Sequence, residues 1–182
     1  MKILLLDDYA QPRTDARRAL EQILVDESIE FSEFSSTSKA LQSFEKVNYD
    51  LVITDILIPE MNGFEFVVEA LKSRVVPFVM HTGTWSKEYV TQIILNGLGE
   101  RLPIEIVGKR YLHESWAEYV SEMKRGIDNS KRKAERLQPN VFERGINWAG
   151  RIVNSVIGSE YFNRNVSGIE VKDIVRITER LK

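Results

Sequence analysis

Short apolar runs alternate with amphipathic stretches through the first two-thirds of the chain. Lys2–Leu6 and Leu51–Thr54 are almost continuously apolar, as strands covered by helices on both faces must be. Ile29–Phe34, Val76–His81 and Ile104–Val107 are more mixed runs that predict three further strands. Between them, Thr14–Val25 carries Ala16, Ala19, Leu20, Ile23 and Leu24 on one stripe, and Ser38–Val47, Phe64–Lys72, Lys87–Leu95 and Ser115–Arg125 repeat apolar positions at helical spacing. Strict alternation of strand and helix predicts an α/β fold with a five-stranded, doubly wound parallel sheet, because each return to the same edge needs a crossover helix. In such a sheet, function gathers at the carboxyl ends of the strands.

A second pattern begins where the alternation ends. From Trp116, the positions Val120, Met123, Ile127, Ser130, Ala134 and Leu137 follow at spacings of four and three, a heptad seam that passes Gly126 without a stop signal and ends before Pro139. It reads either as the last helix of the domain running into a solvated linker or as a parallel dimer stalk. After Pro139, Phe142, Ile146, Ala149, Ile152, Val153, Val156 and Ile157 line another amphipathic helix closed by Gly158. A final helix opens on the capping-box pair Ser167 and Glu170 and buries Val171, Ile174, Ile177 and Leu181. The expected organisation is an α/β domain over residues 1–125 and a helical extension over 126–182, whose apolar faces need a partner.

Charge divides along the same line. Residues 1–125 hold 20 acidic and 14 basic side chains, whereas residues 126–182 hold 7 and 11, so a net charge of −2 conceals an acidic domain and a basic tail. An acidic domain disfavours phosphate-backbone binding there; the tail leaves DNA or an acidic partner open. The absence of cysteine excludes disulfides, zinc-thiolate sites and thiol nucleophiles, and fits a cytoplasmic setting. Two acids straight after a very short N-terminal apolar run do not resemble a secretory signal. No stretch reaches the roughly 18 apolar residues of a membrane helix, so no membrane partner is expected.

Three carboxylates stand where strands end: Asp7 and Asp8 after the first, Asp55 after the third. Singly, the first two read as helix caps and the third as the start of a turn. Together they converge at the switch point of a doubly wound sheet, where they would repel one another unless a cation intervened. Mg²⁺ suits such a set, taking one or two carboxylates while keeping sites for water and phosphate oxygens. Thr82 at the end of the fourth strand and Lys109 at the end of the fifth would complete the partners of a tetrahedral dianion. Helix capping alone does not predict a lysine there.

With Asp7-Asp8, Leu-Val-Ile-Thr-Asp55-Ile-Leu-Ile-Pro59-Glu-Met-Asn-Gly63, Thr82-Gly83 and Lys109 in this order, residues 1–125 resemble the receiver domain of bacterial two-component response regulators. The resemblance implies a flavodoxin-like sheet of order 2-1-3-4-5 and a phosphorylation-controlled signalling switch rather than an enzyme. It makes Asp55 the phosphoacceptor and assigns Mg²⁺ to Asp7, Asp8, Asp55 and the backbone carbonyl of Leu57. Thr82 and Lys109 would contact the phosphoryl group, and a histidine kinase or phosphotransfer protein would be the donor. Leu57 and Thr84 fall where the family's side chains influence a hydrolytic water, and an apolar Leu57 cannot hold one.

Three features depart from the family pattern. Arg110 replaces the proline, often cis-linked, that usually follows the lysine. Ile106 replaces an aromatic residue that swings inward on activation, leaving Trp85 or Tyr111 to substitute if geometry allows. The stretch Asn96–Pro103 is longer than the family's loop.

The remaining signals are weaker. His81 and His113 lack metal-ligand spacing, Trp148 and Phe142 read as core or interface, and Asp55-Ile-Leu lacks the second acid of Asp-x-Asp phosphatases. For output, a protein-interaction or dimerisation module, with a homodimer expected, is favoured over a DNA-binding transcriptional regulator, because residues 126–182 contain no helix-turn-helix pattern. A metal-dependent phosphohydrolase is the third class, distinguished by multiple turnovers and no stable protein-bound phosphate.

Overall fold

Alternation inside each strand decides the architecture. The computed structural model describes residues 1–83 and 102–137. Five strands, β1 (Lys2–Leu6), β2 (Glu30–Phe34), β3 (Leu51–Thr54), β4 (Phe78–Thr82) and β5 (Ile104–Gly108), form one parallel sheet in the order β2-β1-β3-β4-β5. Successive side chains of a strand point to opposite faces. Ile3, Leu5, Leu51, Ile53, Val79 and Val107 therefore meet one helix layer, and Leu4, Leu6, Val52, Phe78, Met80 and Ile104 meet the other.

The first layer consists of α1 (Ala10–Ile23) and α4 (Trp116–Arg136), the second of α2 (Thr37–Lys46) and α3 (Gly63–Ser73). β1 and β3 are buried on both faces, as their continuous apolar runs predict, whereas β2 lies at an edge and is only partly covered.

Element boundaries differ from the periodic pattern in instructive ways. Helix α1 starts at Ala10 rather than Thr14, because Pro12 lies in the first turn, where its missing N–H would have no intrahelical partner anyway. It ends before Val25, which is exposed. β4 starts at Phe78 rather than Val76, since Pro77 cannot donate to the ladder. The helix predicted over 87–95 and those beyond Pro139 lie outside the described residues.

Helix α4 runs unbroken through Arg125 and Gly126. Its seam positions Met123, Ile127 and Ser130 are buried, and Met123 and Ile127 belong to the cluster holding Val79 and Val107. Gly126 permits this approach, since a Cβ there would stand 2.6 Å from Val107 Cγ2. Lys133 secures the last turn, pairing with Glu105 at 2.6 Å and donating to the Ile104 carbonyl at 3.0 Å. The middle of the heptad seam is thus occupied by the chain's own sheet, as the last-helix reading expects. Among the described residues no helix is long and apolar enough to cross a membrane.

Candidate functional site

Parallel strands deliver their carboxyl ends to one rim, and the chain order reverses between β1 and β3. Asp7 and Asp8 follow β1 and Asp55 follows β3, so one side-chain oxygen from each can be chosen with all three within 4.8 Å of one another. Asp7 and Asp55 are buried, and Asp8 is partly exposed. Lys109, just past β5 and 6% exposed, reaches across the rim with its Nζ 2.8 Å from both Asp7 Oδ2 and Asp55 Oδ2. The other Asp55 oxygen, Oδ1, accepts from the Ile56 N–H at 2.6 Å.

Burial and ion pairing oppose each other at Asp7, Asp55 and Lys109. Burial raises the pKa of Asp55 and of Asp7 above the usual carboxylate value, and the Lys109 ammonium only partly offsets it. Burial also pulls the Lys109 pKa down, but hydrogen bonds to Asp55 and Asp7 outweigh it and leave the ammonium more tightly protonated than usual. One ammonium cannot neutralise three carboxylates. Asp8 Oδ1 is buried with no hydrogen-bond partner, the condition an oxygen-preferring cation would relieve.

Secondary contacts set these positions. Asp7 Oδ1 accepts from the Tyr9 N–H at 3.0 Å, turning the chain into α1. Arg13, from the first turns of α1, donates to the carbonyls of Asp7 and Tyr9 and faces Glu33 of β2 at 3.5 Å, fixing the acid loop from behind. The loop after Asp55 is closed by Gly63 N–H donating to the Ile56 carbonyl at 2.9 Å. It then enters α3 through a capping box: the Asn62 side chain accepts from the Phe64 and Glu65 N–H groups, while Glu65 accepts from the Asn62 N–H. Within the loop Glu60 has φ 76°, a left-handed conformation a non-glycine residue rarely adopts. The Ser36 and Ser38 hydroxyls donate to its carboxylate at 3.4 and 3.2 Å.

The site opens into a cleft of about 1000 Å³ whose walls include Asp8, Asp55, Leu57, Gly83, Lys109 and Tyr111. Leu57 is 45% exposed there. Thr82 is wholly buried at the end of β4, where its carbonyl accepts from the Lys109 N–H at 2.8 Å. The five side chains singled out from the sequence therefore share one rim, with Thr82 set back beside Gly83.

A family model, the response regulator receiver domain, matches residues 3–102, a span that holds Asp7, Asp8, Asp55 and Thr82 and ends before Lys109. The chain belongs to this family. Over 81 residues the receiver is 30% identical to the transcriptional regulatory protein ResD of Bacillus subtilis, a match spanning 44% of this chain but only 32% of that protein. In structure, the receiver resembles a two-component transcriptional regulator AraC from Clostridium phytofermentans (21% identity, TM-score 0.55, 73% of this chain and 97% of that one). It likewise resembles the chemotaxis response regulator CheY4 of Vibrio cholerae (22%, 0.51, 71% and 97%). At these identities the structural likeness speaks to the fold.

Where this receiver departs from the family pattern, the structure shows what stands instead. Ile106 pairs with Met80 across the β4–β5 ladder and packs, partly buried, on the α2–α3 side. Arg110 opens a 3-10 turn, Arg110–Leu112, and its guanidinium donates to the His113 carbonyl at 2.8 Å. Trp85, Thr84 and most of Asn96–Pro103 lie outside the described residues. His81 is a core residue: its Nε2 shares a hydrogen bond of 3.0 Å with the Tyr119 hydroxyl, and burial, then Lys109, lowers its pKa to about 3. His113 lies 3.1 Å from both the Gly108 carbonyl and Glu122.

Sequence reasoning passed over Arg13, Glu60, the Asn62–Glu65 box and the seat of Tyr111. Only the box carried a readable signal, a capping residue followed three positions later by glutamate before an apolar run.

Proposed function

We propose that this receiver takes a phosphoryl group onto Asp55 from the phosphohistidine of a histidine kinase or phosphotransfer protein and uses it to switch a partner interaction. The observation that carries this reading is the placement of Asp55 in the cleft wall, with oxygens of Asp7 and Asp8 within 4.8 Å and the Lys109 ammonium 2.8 Å from its Oδ2. The ionised Asp55 oxygen attacks phosphorus in line, the phosphorus–nitrogen bond breaks, and the imidazole nitrogen keeps the electron pair. Lys109, already on Asp55, offsets the negative charge the phosphoryl group brings. Asp7, Asp8, Asp55 and the backbone carbonyl of Leu57 would hold Mg²⁺, which when bound neutralises charge on the phosphoryl oxygens. Thr82 then takes a phosphoryl oxygen when the end of β4 comes forward, a two-state shift biased by the new charge.

Intact-mass measurement after incubation with Mg²⁺ and a small phosphodonor tests this directly. One added phosphate is expected on the wild type and none on Asp55→Asn; labelling of both would refute the assignment. Repeated donor turnover with no protein-bound phosphate would instead favour a phosphohydrolase.

Leu57 makes a second test. Its exposed apolar side chain lines the cleft and has no polar atom with which to orient an attacking water. Leu57→Asn is expected to shorten the lifetime of the phosphorylated form several-fold, as followed by the decay of the mass adduct. Equal decay rates would contradict this role.

Output is assigned to the extension over residues 126–182, as a protein-interaction or dimerisation module whose first residues, to Arg136, continue α4 along the sheet of the domain at 1–125. Because the middle of the seam is already buried against the sheet, any homodimer forms through other surfaces. A DNA-binding output is the alternative, supported by the excess of basic residues in 126–182 and by the naming of ResD as a transcriptional regulatory protein. Duplex binding that falls steeply with salt would favour it.

A further inference from the structure

Tyr111 is held where nothing in the acceptor chemistry requires a tyrosine. It stands on the 3-10 turn directly after Lys109, is 68% exposed, and lines the cleft with Asp55, Leu57 and Lys109. An exposed phenol has little packing to fix it, yet its hydroxyl donates to the Gly83 carbonyl at 2.9 Å. The seat is shaped for it: a Cβ at residue 83 would lie 1.6 Å from the phenolic oxygen, 2.7 Å from Cζ and 3.1 Å from the Lys109 Cδ. Glycine, phenol tip and lysine stem share one small space, and a side chain at residue 83 would displace the phenol toward solvent.

The position of this bond in the sheet gives it meaning. β4 and β5 pair in register up to Thr82 and Gly108, and the next contact along the ladder is the Lys109 N–H donating to the Thr82 carbonyl. The Tyr111 hydroxyl, donating to the carbonyl of the following residue, is one rung further, with a side chain in place of a strand. It therefore ties together the two chain ends that carry Thr82 and Lys109.

We propose that Tyr111 is a positioning residue, a side-chain rung that extends the β4–β5 ladder past Thr82 and sets Thr82 and Lys109 for joint contact with one phosphoryl group. The inference rests on the assignment of Asp55 as acceptor. Losing the rung frees the Gly83 peptide, so part of the binding energy of the phosphoryl group is spent on ordering the strand end.

The test uses the full chain, MgCl₂ and acetyl phosphate, with the rate of adduct formation read by intact mass. Tyr111→Phe keeps the exposed ring and removes only the donor, and uptake is expected to slow about threefold to tenfold, the range for one lost hydrogen bond. Gly83→Ala, which displaces the phenol without altering it, is expected to slow uptake at least as much. The decisive arm is a double-mutant cycle: in a Thr82→Ala background, Tyr111→Phe is expected to have little further effect, a coupling that a merely structural role would not produce. Uptake by Tyr111→Phe equal to wild type, or an equal slowing with and without the threonine hydroxyl, overturns the inference and leaves the acceptor assignment intact. A wild type that gains no phosphate overturns both.

Discussion

Lys109→Ala is expected to cost on the order of 3 kcal/mol of stability in magnesium-free buffer and to recover more of it on adding MgCl₂ than the wild type gains. The ammonium is 2.8 Å from oxygens of two buried carboxylates, so removing it strands charge with little access to water. Breaking a buried pair from one side costs about 3–5 kcal/mol, and the open cleft argues for the lower end. The carboxylates can escape part of the cost by binding protons. Burial already raises the pKa of Asp7 and Asp55 in the folded chain, so the folded state binds protons more tightly than the unfolded one. Their contribution to stability therefore grows as pH falls through their folded pKa values toward the ordinary aspartate value. The Lys109 contribution runs the other way: it is complete below the ordinary lysine value and lost as pH rises through its raised pKa.

Without the ammonium, the acids face a cation alone. A divalent ion held by these carboxylates would compete with the ammonium for the same oxygens, so the variant is expected to bind Mg²⁺ more tightly and to show the larger magnesium-dependent rise in melting temperature. Phosphoryl uptake is expected to fall about a hundredfold or more, since a preorganised positive group is lost where charge accumulates. Thermal unfolding of both proteins with and without MgCl₂ checks the stability part. Equal magnesium shifts would show that Lys109 and the cation do not share these carboxylates.

Legibility in the sequence followed how local each signal is. The parallel sheet and the acids at the ends of β1 and β3 were readable, because two-sided burial writes continuous apolar runs into those strands, whereas the strand order came from the resemblance to receivers. Boundaries were less so: the start of α1 depends on how a proline fits a first turn, a local geometry that apolar spacing does not encode. The heptad seam was ambiguous because a helix packed on a sheet and a helix packed on its twin show the same three-four spacing. Only the close approach at Gly126 and the burial of Met123, Ile127 and Ser130 distinguish them. The role of Arg13 and the partner of Tyr111 were invisible because each rests on a backbone carbonyl, and any sequence supplies a carbonyl at every position.

Gly63→Ala is expected to be the most damaging single methyl in the described part of the chain. A Cβ at this position would stand 1.6 Å from the Asp55 carbonyl oxygen, 2.8 Å from the carbonyl carbon and 2.9 Å from Thr54 Oγ1. None of these can step aside cheaply. The Thr54 hydroxyl donates to that same carbonyl at 2.9 Å, and the Asp55 N–H donates to the Leu6 carbonyl at 2.8 Å, so the peptide is fixed by the sheet. The helix must move instead. Lifting the start of α3 breaks the Gly63 N–H bond to the Ile56 carbonyl and disturbs the Asn62–Glu65 box, each worth about 1 kcal/mol, beside about 1–3 kcal/mol for forcing a methyl into a packed site.

A total of about 3–5 kcal/mol is a large part of the 5–15 kcal/mol typical of a domain. It falls on the loop that positions Asp55 and Leu57. Denaturant unfolding is expected to show the loss, and the magnesium-dependent stabilisation should shrink with it, because the carboxylate of Asp55 no longer meets those of Asp7 and Asp8. A variant within 0.5 kcal/mol of wild type by this measurement, the ordinary range for a surface change, would mean that α3 and the acceptor strand do not approach as closely as this architecture requires.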